Sequence, residues 1–146
     1  MKTLSRTLAV LGAAAILASC SSVHHMMNSG SSGESVTLTG ANEVPAVSTS
    51  AAGSGMVTIN SDHTVTAKII ATGMTATAAH IHQGAKGANG KVIVPFTKTG
   101  DNEFSAPPGA KLTDEQYQAY KAGDLYVNVH SAAHPGGEIR AQLSGR

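Results

Sequence analysis

An all-β domain of Greek-key type, a sandwich or barrel with one short helix, is predicted by three features of the sequence. From Ser35 onward, short segments with apolar residues at every second position recur between glycine, proline and asparagine turns. Small residues dominate and tryptophan is absent, while the abundant threonine and valine favour pleated strands. Only one stretch carries both a helix start and a helix stop. A chain of 146 residues that is 41% hydrophobic suits a single domain with a modest core. Its formal charge of +1 supplies no basic excess for nucleic acid, which is therefore not an expected partner.

The elements follow in order. SVTLTG alternates, with Val36 and Leu38 on one face. GMVTIN runs to a turn at Asn60-Ser61-Asp62, from which TVTAKIIATG leaves, as in a hairpin that places His63 in its solvated turn. ATAAHIHQ and KVIVPF read as strands on either side of the glycine-rich segment GAKGANG. NEFSA is short and meets Pro107-Pro108-Gly109. In KLTDEQYQAYKAGD, Thr113 caps a helix and Gln116 completes a capping box, while Gly123 provides a left-handed stop. Tyr117 and Tyr120 share one face of that helix and pack it onto the sheet. DLYVNVH and EIRAQL close the chain as strands.

The N-terminus reads as an address. Lys2 and Arg6 precede an apolar stretch from Leu8 to Leu17 that is too short to span a bilayer. It ends in Leu17-Ala18-Ser19-Cys20, which resembles a bacterial lipobox, and Cys20 is the chain's one cysteine. The resemblance implies a signal peptide over residues 1–19 and a diacylated, palmitate-type anchor on Cys20. Ser21 after the cysteine implies an outer-membrane lipoprotein facing the periplasm. Residues 20–34 are a serine- and glycine-rich tether, carrying His24-His25-Met26-Met27. Imidazole and thioether are ligands that copper accepts in both oxidation states.

Period-two geometry sorts the remaining chemistry. Ala79 and Ile81 face the core, so His80 and His82 point away from it. Leu125, Val127 and Val129 likewise oppose Tyr126, Asn128 and His130, and Ile139 and Ala141 oppose Glu138 and Arg140. If these strands are neighbours, the outward residues form one polar patch.

Three blocks carry a family resemblance: LTGANEVPAV, AAHIHQGAKGANGKVIVPF and GDLYVNVHSAAHPGGEIRAQL. They resemble the signature blocks of the CHRD domain, named for chordin and found in many bacterial secreted proteins. The likeness spans residues 35–146, although Ala46 stands where the family usually has proline and Ala141 where it usually has glycine. It implies an immunoglobulin-like barrel or sandwich with limited similarity to copper/zinc superoxide dismutases, and leaves the biochemical role open.

Two functions are consistent with these residues. The favoured reading is a membrane-anchored, non-catalytic binding module whose outer face, Tyr126, Asn128, Glu138 and Arg140 included, meets an envelope protein. The alternative is a periplasmic copper- or zinc-binding protein, with His80, His82 and His130 as ligands and His134 as a fourth. Histidines two apart on a strand share one face, and three imidazoles suit either ion. Asn128 or Glu138 would then hold the second ring nitrogens. No nucleophile motif, phosphate loop or close carboxylate pair is present, so an enzyme is not expected.

Overall fold

The computed structural model describes residues 33–145. The lipobox, Cys20 and the His24–Met27 tether lie outside the described residues. Nine antiparallel strands form one sheet: β1 Glu34–Thr39, β2 Ala52–Ile59, β3 Val65–Thr72, β4 Ala76–Gln83, β5 Lys91–Pro95, β6 Thr97–Lys98, β7 Glu103–Ser105, β8 Leu125–Ser131 and β9 Ile139–Gln142. Eight of these match the strands anticipated from alternation. The two-residue β6 was not foreseen, because so short a segment has no period to read.

The strand order is β5-β4-β8-β9-β1-β2-β3-β7-β6. Phe96 alone separates β5 from β6, and these two strands lie at opposite ends of that order. The Phe96 N–H donates to Ala79 O at 3.0 Å, and Lys98 Nζ donates to Ala76 O at 2.8 Å. The sheet thereby curls almost into a closed barrel, which removes most of its exposed edge. β1 and β9 pair only through Thr39 and Arg140, so the wall is loosest at that seam.

The barrel interior holds the residues that alternation assigned to it. Leu38, Ile69, Ile81, Leu125, Val127, Val129 and Ile139 are fully buried. Each contributes roughly 1.5–3 kcal/mol through removal of its side chain from water. The helix α1, Asp114–Lys121, has the Thr113–Gln116 capping box, and Gly123 follows it at φ +80°. Tyr120 is buried against the barrel. Tyr117 stacks on His63 with ring centroids 4.3 Å apart, and His63 Nδ1 lies 3.3 Å from Asp114 Oδ1. His63 therefore clips the β2–β3 turn to the helix instead of standing in solvent. Sequence distance hid this contact, since the helix begins some fifty residues after the turn.

Candidate metal centre

β4 lies between β5 and β8, and its register against β8 builds the site. His80 sits opposite Asn128, His82 opposite Tyr126 and Ala78 opposite His130, after a shift in register between Ala76 and Ala78. Cross-strand neighbours stand within side-chain reach, so His80, His82 and His130 meet on the outer surface of the sheet. Their ring centroids are 4.7 to 6.0 Å apart. One nitrogen from each ring lies within 4.8 Å of the other two.

Backbone carbonyls set the orientation of two of these rings. His82 Nδ1 lies 2.9 Å from Gly90 O, and His130 Nδ1 lies 3.0 Å from Pro135 O. A carbonyl only accepts, so both Nδ1 atoms carry hydrogen and both Nε2 atoms present lone pairs. His80 Nδ1 lies 2.9 Å from His130 Nε2, which makes His80 the donor when no ion is bound. His82 Nε2 is buried and has no hydrogen-bond partner. Two imidazoles with carbonyl-held Nδ1–H groups and Nε2 lone pairs turned towards the cluster are what a metal-binding histidine pair requires. Metal–nitrogen bonds of about 2.0–2.1 Å place ligand nitrogens about 3–4 Å apart, so the widest separation here would close by roughly 1 Å on binding.

The face that carries the triad is covered. His82, Asn128, His130, Glu138 and Arg140 are buried, and Tyr126 is 2% exposed. The open patch anticipated for a protein partner is therefore not what the fold presents: Tyr126, Asn128, Glu138 and Arg140 lie on the expected side of the sheet but beneath loops. The 84–90 segment folds over Tyr126 and Arg140. The Gly90 N–H donates to Tyr126 Oη at 3.1 Å, Asn89 Nδ2 donates to Val44 O at 2.6 Å, and Gln142 Nε2 donates to Gly84 O at 3.0 Å. Beneath this loop the Tyr126 ring lies against His82, with centroids 4.7 Å apart and planes within 7°, and Arg140 Cζ lies 3.3 Å from the Tyr126 centroid. β8 runs between β4 and β9, so the guanidinium and the imidazole flank the phenol ring. A desolvated cation–π contact contributes about 2 kcal/mol, and this one fixes the surface on which His82 rests.

The second-nitrogen role expected of Asn128 or Glu138 belongs instead to the carbonyls of Gly90 and Pro135. Glu138 Oε1 accepts from Thr49 Oγ1 at 2.7 Å. Burial pushes the Glu138 carboxyl up, but hydrogen bonds from Ser131 and Thr49 and the nearby His134 outweigh it and leave the pKa below the usual value. His134 is not among the converging residues; its N–H donates to Ser131 Oγ, in the turn that also delivers Pro135 O to His130. Sequence reasoning missed Glu43, which is buried beside this network although it lies in the block LTGANEVPAV. Burial raises its pKa, while Arg140 and hydrogen bonds from Asn128 and the Val44 backbone pull it back.

Burial also lowers the pKa of all three imidazoles. For His80, with His130 and His82 beside it, the value falls from 6.5 to about 4. His82 and His130 shift the same way, chiefly through desolvation. Depressed histidines contribute stability that is complete above 6.5 and lost as pH falls towards the folded value. Glu43, raised, acts in the opposite sense and offsets part of this. Urea midpoints of the metal-free domain are expected to drop between pH 6.5 and 4. A His80→Gln variant should show a shallower drop, and identical pH profiles for the two proteins would refute the assignment.

Residues 35–143 match the CHRD domain, and the chain belongs to that family. No curated protein and no solved structure matches it.

Proposed function

We propose that this chain is an extracytoplasmic CHRD-domain protein, anchored through Cys20, that binds a single copper or zinc ion at His80, His82 and His130. One observation carries the reading: three imidazoles converge, and the two buried ones have their tautomers held so that lone pairs point inward. Both ions accept imidazole readily, and a three-histidine set leaves a coordination position for water or an exchanging ligand. The donors are neutral, so the bound ion keeps its charge and binding is not tied to thiol chemistry. The role is one of holding a metal ion, as in buffering or delivery, rather than turnover. A protein partner at the same face is disfavoured, because the residues that would meet it are covered. Placement at the outer membrane facing the periplasm follows from the lipobox resemblance and belongs to the same proposal.

Titration of the full-length protein, purified in detergent without a histidine tag, tests the reading. One Cu(II) or Zn(II) should bind at the triad with Kd below about 1 µM, corresponding to about −8 kcal/mol. That site should vanish in a His80→Ala/His82→Ala variant, and the difference between the two proteins separates the triad from any ion held by the tether. Equal binding by both proteins would overturn the proposal.

A further inference from the structure

Two of the five buried side-chain atoms that lack a hydrogen-bond partner among the described residues are His82 Nε2 and Asn128 Oδ1. Both are acceptors. Strand register sets Asn128 in the middle of the triad. It stands directly across from His80, diagonal to His82, and two residues before His130 on the same face of β8. Asn128 is 1% exposed, so solvent does not serve its oxygen.

The donating end of this amide is held elsewhere. Asn128 Nδ2 points to the Glu43 carboxyl, which accepts from it, and the two groups converge over Gly137. A Cβ there would lie 2.6 Å from Nδ2 and 2.5 Å from Glu43 Oε1, so glycine, here at φ +126°, permits the approach. Anchored in this sense, the amide turns Oδ1 towards the His82 ring. Nδ1 of that ring is taken by Gly90 O, so Oδ1 meets the edge that carries the Nε2 lone pair. Two unpaired acceptors confined together away from water are unfavourable, and a cation placed between them satisfies both at once. Atoms this close also stand at the spacing of neighbouring ligands around one ion, since bonds of about 2.0–2.2 Å set ligand atoms about 3–4 Å apart.

We propose that Asn128 Oδ1 is the fourth ligand of the ion and closes the site around a divalent metal. The inference rests on the metal reading above and fills the position that three histidines leave open. Glu43 is then the group that orients this ligand, through the amide N–H. An amide oxygen is a hard donor, and joined to three imidazoles it favours Cu(II) or Zn(II) over Cu(I), which selects softer sulfur ligands. A closed four-coordinate shell belongs to sites that retain a metal, whereas catalytic sites keep a position for water. The neutral amide is also the weakest of the four donors, so it is the one that an incoming ligand displaces when the ion is handed on.

The test is pulsed electron paramagnetic resonance of the Cu(II)-loaded full-length protein in D2O, with Cu(II) and Cu(I) affinities measured in parallel. The signal that disappears in His80→Ala/His82→Ala is the one from the triad. In wild type that signal should show no exchangeable equatorial water, and in an Asn128→Leu variant, similar in shape, it should acquire one. The variant should bind Cu(II) about 10–100-fold more weakly while its Cu(I) affinity holds. Its Cu(II)/Cu(I) potential should then rise by about 59 mV for each tenfold lost. A merely structural role for Asn128 would weaken both oxidation states alike. The wild-type spectrum alone carries the test should Asn128→Leu fail to fold. An equatorial water in wild type, or equal losses of Cu(I) and Cu(II) in the variant, would overturn the fourth ligand and leave the metal reading standing. A copper signal unchanged in His80→Ala/His82→Ala would overturn both.

Discussion

Replacement of Arg140 by leucine is expected to lower the stability of the domain by about 3–5 kcal/mol, the range for removing one member of a buried charged network. Arg140 is 1% exposed, so nothing in solvent substitutes for it. Its Nη2 donates to Gln142 Oε1 at 3.1 Å and to Ala85 O at 3.4 Å, and its Nη1 donates to Asn89 Oδ1 at 3.4 Å. Leucine fills part of the volume but takes the guanidinium donor from Gln142 Oε1 and Asn89 Oδ1, removes the support under Tyr126 and strands the buried Glu43 without its cation. For a domain of this size the melting midpoint should fall by roughly 15 °C or more. Lysine should recover little of this, because a point charge neither stacks on the phenol nor spans three acceptors. A thermal shift of only a few degrees for Arg140→Leu would show that the network carries little of the stability.

The second large effect is expected at Gly90. A Cβ added there would lie 1.6 Å from Gln83 O and 2.5 Å from Gln83 C. Those atoms are backbone in β4, so the loop must yield, not a side-chain tip. Gly90 O then leaves His82 Nδ1, and the Gly90 N–H leaves Tyr126 Oη. Gly90→Ala should therefore cost about 2–4 kcal/mol through the buried groups it strands. It should also weaken metal binding about 10–100-fold, since His82 loses the partner that sets its tautomer. Parallel measurement of urea midpoint and Cu(II) affinity separates these consequences. Lost stability with unchanged affinity would mean that the Gly90 carbonyl does not orient the ligand.

The two substitutions probe different layers of one assembly, and these layers were unequally visible beforehand. Alternation alone placed His80, His82, Asn128, His130 and Arg140 on the side of the sheet opposite Ile81, Val127 and Ile139. That inference needs only the pleat, a local property of each strand. Their mutual contact depends on β4, β8 and β9 being neighbours, and residues 80 and 130 are brought together by pairing that no local pattern encodes.

The burial of that face was not legible either. Outward-pointing histidine, tyrosine and arginine read naturally as an exposed patch. They are covered because GAKGANG returns across the sheet, and Asn89 bonds to Val44, 45 residues earlier. The partners that orient His82 and His130 are carbonyl oxygens, which every residue possesses, so residue identity cannot mark them out. Glu43 escaped for the same reason: one carboxylate among nine acidic residues gives no sign of being buried until the fold places Asn128 and Arg140 over it.

By itself, then, the sequence determined the β architecture, the capped helix, the sidedness of the strands that carry the site and the membership of the CHRD family. All of these depend on short-range periodicity, capping chemistry or motif identity. Only the tertiary structure decided that three histidines converge, that backbone carbonyls hold two of them and that a buried acid stands behind Asn128. These follow from strand order and loop path, where residues far apart in the chain supply each other's hydrogen bonds.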